Sequence, residues 1–129
     1  MIPKFRAYHH ELGRMMSISD MWFNVDSLGE IGLNDSVMND YITVSPDEIE
    51  LMQSTGLYDK NGKEIFEGDI VKMAKDVYSD PTYYEVIRHR GGAYRLESNQ
   101  HGCELWLRHT NCEVIGNIYE NPELLEDCK

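Results

Sequence analysis

The stretch of sequence that decides the fold is LMQSTGLYDKNGKEIFEGDIVK, residues 51–72. At its centre, Asp59-Lys60-Asn61-Gly62 predicts a tight hairpin turn, because the Asn-Gly pair tolerates the positive φ angles of such a turn. Residues 63–66 are then expected to return as a short strand, and Glu67-Gly68-Asp69 predicts a second corner before a strand at residues 70–73. The stretch therefore predicts antiparallel β-structure with tight corners.

Further strands are predicted on both sides of this stretch. Upstream, polar and apolar residues alternate as in an opening hairpin, residues 4–8 and 15–18, followed by short strands and loops over 20–39 and a strand at 41–44. Downstream, strands are predicted at 83–89, 93–97, 105–107 and 112–119, with a last helical turn after Asn121-Pro122. Strands at this short spacing favour a small barrel or a curled sheet.

One helix start is indicated between the two halves of the chain. Ser45-Pro46-Asp47-Glu48 places a serine at the N-cap, proline at the first helical position and glutamate at the capping-box position. We expect a short helix through about Gln53 that turns Ile49 and Met52 toward the core and stops at Gly56.

Composition and cysteine usage indicate one soluble, intracellular domain. The chain has 129 residues, 41% of them hydrophobic, so it can bury a core without metals or disulfides. No apolar stretch approaches the ~20 residues that span a bilayer, and the first residues lack the apolar core of a secretory signal. Cys103, Cys112 and Cys128 have no framework spacing, which is typical of free thiols in a reducing cytosol.

Three stretches resemble the YopX family of phage and prophage proteins: KFRAY at residues 4–8, the opening stretch at 51–72, and EVIGNIYENPELL at 113–125. The resemblance implies a mainly β fold with an SH3-like barrel in the C-terminal half, to which the capping signals add one or two short helices. It also implies a temperate-phage origin in Gram-positive bacteria and no established activity, so the cytosol predicted above is that of the bacterial host. We therefore expect one YopX-like domain over 1–129, with the N-terminal hairpin and acidic segment at about 1–50 and the barrel at about 51–129.

Negative charge is concentrated in one part of the chain. Between Met15 and Asp59 there is no lysine or arginine but there are nine acidic residues, within a chain of net charge −11. An acidic surface of this kind resembles the phosphate backbone of a nucleic acid and would fit a basic groove on a partner protein. An ordinary solvated surface that binds nothing has the same composition. The predicted acidic partner face comprises Asp26, Glu30, Asp35, Asp40, Asp47 and Glu50.

Basic and aromatic residues interleave on the predicted strands of the second half, as phosphate pairing and base stacking require. The possible nucleic-acid face comprises Arg88, Arg90, Arg95, Arg108 and Tyr94. A sequence pI near 4.7 weighs against this use, because affinity for the phosphate backbone needs a local positive field.

Zinc-binding side chains occur together only at His101, Cys103, His109 and Cys112. Their spacing is not that of a zinc finger, and an extended strand would hold His101 and His109 far apart, so buried thiols and surface histidines are the preferred interpretation. The sequence carries no phosphate loop, nucleophile elbow, HExxH or kinase motif. We predict no catalytic residue, no metal and no cofactor.

The function that these observations favour is a non-enzymatic module that binds a protein partner or copies of itself. Edge strands of a small barrel offer unpaired main-chain groups for such contacts. The first alternative is an acidic inhibitor that mimics nucleic acid and docks on a host or phage enzyme. The second is a small barrel that binds nucleic acid directly.

Overall fold

The computed structural model describes residues 4–23, 28–35, 40–74, 81–88, 92–98 and 102–126. Antiparallel strands make up most of this part of the chain, and the helices in it are single turns. The predicted mainly β fold is confirmed. The chain divides into two compact units, Met1–Gln53 and Ser54–Lys129, whereas folding as a single domain stays a prediction.

The first unit is an antiparallel sheet with the strand order β4-β3-β2-β1-β5. Its strands are β1 (Phe5–His9), β2 (Arg14–Phe23), β3 (Leu28–Asp35), β4 (Asp40–Val44) and the first half of β5 (Ile49–Tyr58). The predicted opening hairpin is confirmed, with Tyr8 opposite Met15 and Gly13 at φ +65° in the turn. One face buries a core of Ala7, Met16, Ile31, Leu33, Val44 and Ile49.

The helix predicted from Pro46 to about Gln53 is wrong beyond its first turn. Ser45 and Glu48 do form the capping box, but the helical conformation is limited to a 3-10 turn over Pro46–Glu48. From Ile49 the chain is extended, because residues 49–53 pair with the whole of β1. Their main-chain groups form hydrogen bonds to that strand instead of the local hydrogen bonds of a helix. Ile49 and Met52 are buried as predicted, with 5% and 2% of their surface exposed, but as strand residues.

Gly56, predicted as a helix stop, lies inside β5 at φ +78°. The pairing of β5 with β6 (Glu64–Phe66) shifts register between Ser54 and Tyr58, so the glycine sits in an irregularity of the strand. A positive φ at such a bulge is the conformation that glycine adopts without steric cost.

The second unit contains a five-stranded sheet of β7 (Asp69–Met73), β8 (Thr82–Arg88), β9 (Tyr94–Glu97), β10 (Gly102–Glu104) and β11 (Glu113–Asn117). The strand order is β10-β9-β8-β7-β11, a meander in which the last strand, β11, returns beside β7. Closure of these strands into an SH3-like barrel stays a prediction. The core comprises Ile65, Val71, Tyr84, Val86, Leu96, Leu105, Cys112 and Val114.

The strand predicted at residues 105–107 is wrong. Strand pairing ends at Glu104, and Leu105–Arg108 form the helical turn α1, followed by a 3-10 turn over His109–Asn111. Three consecutive apolar residues give no alternation to place on two faces of a sheet, and here only Leu105 is buried. The last helical turn is confirmed as α2 (Glu123–Glu126), and no helix of the described residues is long and apolar enough to cross a membrane.

Candidate binding surfaces

The carboxylate of Asp59 organises the Asp-Lys-Asn-Gly turn. It is 5% exposed, and its Oδ1 accepts hydrogen bonds from the main-chain N–H groups of Asn61 and Lys63, each at 2.9 Å. Its Oδ2 accepts the N–H of Val114 at 2.8 Å, which joins the turn to β11. The side chain therefore satisfies three main-chain donors that the turn and strand would otherwise leave unpaired.

The same contacts determine the ionisation of Asp59. Burial alone raises the pKa of a carboxyl group, but here the N–H donors of Val114, Lys63 and Asn61 and the charge of Lys63 outweigh it and lower the pKa. The second corner is built similarly, since the buried Asp69 accepts the N–H of Phe66 at 2.8 Å while Gly68 adopts φ +88°. The central stretch thus uses its acids to build turns.

The thiol and imidazole groups considered for zinc are held by other contacts. His109 Nδ1 lies 2.7 Å from the carbonyl oxygen of Tyr58, and the Cys112 thiol donates to the carbonyl of His109 at 3.3 Å. Burial, with the charge of Asp59, raises the pKa of Cys112 to about 11, and burial also raises that of Cys103. Among the described residues, which exclude His101, no group of three His, Cys, Asp or Glu is placed to hold a metal ion.

The residues predicted to form a nucleic-acid face do not share one face of the sheet. Arg88 lies opposite Tyr94 in the pairing of β8 with β9, so Arg95, the next residue, points to the other side. There Arg95 donates to Glu97 at 3.0 Å and also to Glu104. The hydrogen bond to Glu97 is the main cause that raises the pKa of Arg95. Arg108 is exposed at the end of α1, and Arg90 lies outside the described residues.

The predicted acidic face divides between buried and exposed positions. Asp35 is only 4% exposed and forms an ion pair with Arg14, so it does not belong to the surface. Glu50 is exposed and lies 3.3 Å from the His10 imidazole. The other exposed members of the predicted face are Glu30, Asp40 and Asp47. Asp26 lies outside the described residues.

A feature that the sequence did not indicate lies on the exposed side of strands β2, β3 and β4. Asp20, Gly32 and Thr43 form one row across the three strands, and the Tyr41 hydroxyl donates to Asp20 Oδ1 at 3.0 Å. A side chain at Gly32 would collide with both groups, since its Cβ would come within 2.9 Å of Tyr41 Cζ. We call Asp20, Glu30, Gly32 and Tyr41 the Tyr41 face.

The charges of this face act on the phenol. The pKa of Tyr41 is raised by partial burial, by the hydrogen bond to Asp20 and by the negative charges of Asp20 and Glu30. Tyr41 as a whole residue is nevertheless 46% exposed. Tyr41 therefore stays a neutral donor beside two carboxylates and leaves part of its ring open to solvent.

A second exposed surface lies in the Ser54–Lys129 unit. Trp106 and Leu107 on α1 are 64% and 53% exposed, and Tyr58 on β5 is 53% exposed. The contact between His109 and the Tyr58 carbonyl joins the residue that follows α1 to the main chain of β5 at Tyr58. We call Tyr58, Trp106 and Leu107 the Trp106 surface. Its signal in the sequence is the unbroken apolar run 105–107, where the predicted strand is replaced by a helical turn.

Comparison with known proteins gives a consistent result. The family model described as YopX protein matches residues 4–126. A curated protein of Bacillus subtilis (strain 168), "SPbeta prophage-derived uncharacterized protein YopX", is 31% identical over 74 residues, covering 53% of this chain and 54% of that protein. The chain thus matches about half the length of this relative.

Two solved structures are similar over nearly their whole length. Protein EF1440 from Enterococcus faecalis is 30% identical, with a TM-score of 0.67 over 97% of this chain and 99% of that one. Protein yopX from Bacillus subtilis is 22% identical, with a TM-score of 0.65 over 95% of this chain and 97% of that one, a likeness of fold.

Proposed function

We propose that this chain, which belongs to the YopX family, is a non-enzymatic module. In this proposal it assembles with copies of itself through the Trp106 surface. The observation that carries the proposal is the exposure of the consecutive residues Trp106 and Leu107 on one helical turn, together with the exposed Tyr58 on β5, whose carbonyl contacts His109 just after that turn. Single exposed apolar residues are common, but neighbouring large ones mark contact sites. Tryptophan and tyrosine are also the residues enriched at the energetic centres of interfaces.

Charges around this surface favour a second copy as its occupant. Arg108 and Lys60 lie beside it, and Glu113 lies near Lys60, at 3.9 Å between Nζ and Oε1. A rim that carries both signs allows opposite charges to meet under two-fold symmetry, because away from the axis a residue of one copy meets a different residue of the other. Arg108 of one copy can then face Glu113 of its partner copy.

The experiment is sedimentation velocity over a wide concentration range, with wild type and the double variant Trp106→Ala/Leu107→Ala. We expect a reversible oligomer that the double variant loses. Leu12→Ala, which removes another exposed apolar residue at a hairpin turn, is the control and leaves the oligomer unchanged. A monomer at all concentrations, or an oligomer indifferent to the double variant, would overturn the proposal.

A second candidate function is an acidic inhibitor that occupies a basic groove of a host or phage enzyme. It is supported by the absence of lysine and arginine between Met15 and Asp59, where Glu30, Asp40 and Asp47 are exposed. The test is displacement of labelled duplex DNA from an arginine-rich DNA-condensing peptide, with polyglutamate of equal charge as the control. Stronger displacement by the folded chain supports mimicry, and equal displacement contradicts it.

Direct nucleic-acid binding has less support than either candidate. Arg88 and Arg95 lie on opposite sides of the β8–β9 pair, and the charge of Arg95 is balanced by Glu97 and Glu104. A phosphate backbone requires several unpaired cations along one surface.

A further inference from the structure

We infer that the Tyr41 face is a recognition site for an arginine side chain presented by a partner protein. The inference rests on the second candidate function, to which it adds a location and a specific chemistry. Net charge alone attracts any polycation, whereas the arrangement of Asp20, Glu30 and Tyr41 favours one kind of cation over another.

Gly32 makes the arrangement possible. Because it has no side chain, the Asp20 carboxylate from β2 and the Tyr41 ring from β4 both reach across β3 and meet above it, 3.0 Å apart between hydroxyl and carboxylate. Glu30, two residues before Gly32 on β3, lies on the same side of the strand. Two carboxylates and one aromatic ring are thereby collected on adjacent strands.

The carboxylates of this face are not balanced by neighbouring cations. No ion pair of the described residues involves Asp20 or Glu30, and the surrounding sequence from Met15 to Asp59 has no basic residue. The cation at the edge of this stretch, Arg14, is committed to Asp35. An arriving positive charge therefore finds acceptors without displacing an internal partner.

Arginine fits this face better than lysine does. A planar guanidinium stacks on an aromatic ring and at the same time directs several N–H donors at carboxylates, whereas an ammonium group is a compact, strongly hydrated point charge. Tyr41, a residue that is 46% exposed, offers its ring for stacking, and Asp20, held by the Tyr41 hydroxyl, offers an oriented acceptor.

Recognition here depends on side chains more than on strand addition. β4 ends the strand order of its sheet in the described residues, but the main-chain N–H of Tyr41 donates to the Asp40 carboxylate at 2.8 Å. An incoming strand would compete with this bond at that position. A side chain that approaches Tyr41 from the exposed side of the sheet meets no such competition.

The experiment is fluorescence anisotropy with a labelled peptide of alternating arginine and serine, compared with the same peptide made with lysine. We expect the arginine peptide to bind several-fold more tightly, and each of Tyr41→Ala and Asp20→Asn to weaken it about two- to fivefold, the range of an exposed cation–π contact. Tyr41→Phe keeps the ring and retains most of the preference for arginine. Higher salt weakens binding of both peptides.

The matched control is Glu11→Gln, which removes one exposed charge from the same unit without touching the Tyr41 face. If Glu11→Gln weakens binding as much as Asp20→Asn, or if the two peptides bind equally, the site is overturned while the acidic-inhibitor candidate survives. If neither peptide binds, both fail. Loss of binding confined to Trp106→Ala/Leu107→Ala would also overturn the site. Thermal melts of each variant establish that it is folded.

Discussion

The Asp59 carboxylate accepts the main-chain N–H of Val114 at 2.8 Å, and this one bond joins a tight turn to a strand that follows 55 residues later. Two further donors, the N–H groups of Asn61 and Lys63, bind its other oxygen. The turn and β11 therefore share a single charged acceptor, and the charge on that acceptor contributes to stability.

Asp59→Asn tests this contribution. The amide keeps one oxygen acceptor but places an NH₂ group against a main-chain donor, so we expect a loss of about 1.5–3 kcal/mol in the free energy of unfolding at pH 7. Chemical denaturation of both proteins measures the difference. Lys60→Ala, on the exposed side of the same turn, serves as the control and changes stability little. A loss no larger than that of the control would contradict the role of the carboxylate.

The same pair of proteins has a predictable pH dependence. Because the pKa of Asp59 is lower in the folded than in the unfolded chain, its stabilising effect is complete above the unfolded value of about 3.9 and is lost as pH falls through the folded pKa. The stability difference between wild type and Asp59→Asn should therefore shrink in acid, below about pH 4. A difference that stays constant from neutral to strongly acidic pH would contradict the assignment.

Gly116 and Asn121 are expected to be energetically coupled. A Cβ atom at position 116 would lie 2.7 Å from Asn121 Cγ, and the Asn121 side chain accepts the N–H of Asn117 at 3.2 Å. Gly116→Ala must displace this side chain and break the bond, at a cost of about 1–3 kcal/mol. A double-mutant cycle with Asn121→Ala measures the coupling, since the cost of Gly116→Ala should fall once the amide is gone. Strictly additive effects would refute the contact.

Asp35 and Asp40 are directly opposite in the β3–β4 pair but should respond differently to the same change. Asp35→Asn leaves the Arg14 charge without its partner in a mostly buried site, which costs about 3 kcal/mol. Asp40→Asn keeps an acceptor for the Tyr41 N–H and removes like-charge repulsion, so its effect should be near zero or slightly stabilising. Thermal unfolding compares the two variants, and equal losses would contradict the difference in burial.

Cys112 should resist alkylation in the folded protein. Its thiol is fully buried, and its pKa of about 11 keeps the reactive thiolate scarce at pH 8. Treatment with iodoacetamide followed by peptide mass spectrometry should find Cys112 unmodified in native protein and modified in urea. Equal rates in both states would mean that the thiol is accessible.

The local signals of the sequence were sufficient for the corners and hairpins. Asp59 to Gly62 and Glu67 to Asp69 turn as predicted, because Gly62 and Gly68 at positive φ make the conformation a property of a few adjacent residues. The capping box at Ser45 and Glu48 was also real. The helix prediction failed because the residues after the capping box gain more from pairing with β1. Their partners lie 40 to 48 residues earlier in the chain, so the local sequence pattern does not reveal them.

The candidate sites depended on such distant partners even more strongly. Nothing adjacent to Asp35 in the sequence identifies Arg14 as its counter-ion, so the sequence pattern around Asp35 predicts a surface acid. The meeting of Asp20 with Tyr41 depends on the register of β2, β3 and β4, which is a property of the folded sheet. Arg88 and Arg95 looked equivalent in the sequence, yet strand alternation separates them.

The position of β11 in the strand order has a consequence for synthesis on the ribosome. β7 is made early in the second unit but receives its neighbour β11 only after β8, β9 and β10 have been translated. Until then the nascent β7 has one side unpaired and Asp59 lacks the Val114 donor. This sheet is therefore completed only when β11 has been translated, and premature termination before Glu113 would release a chain with an open, aggregation-prone strand.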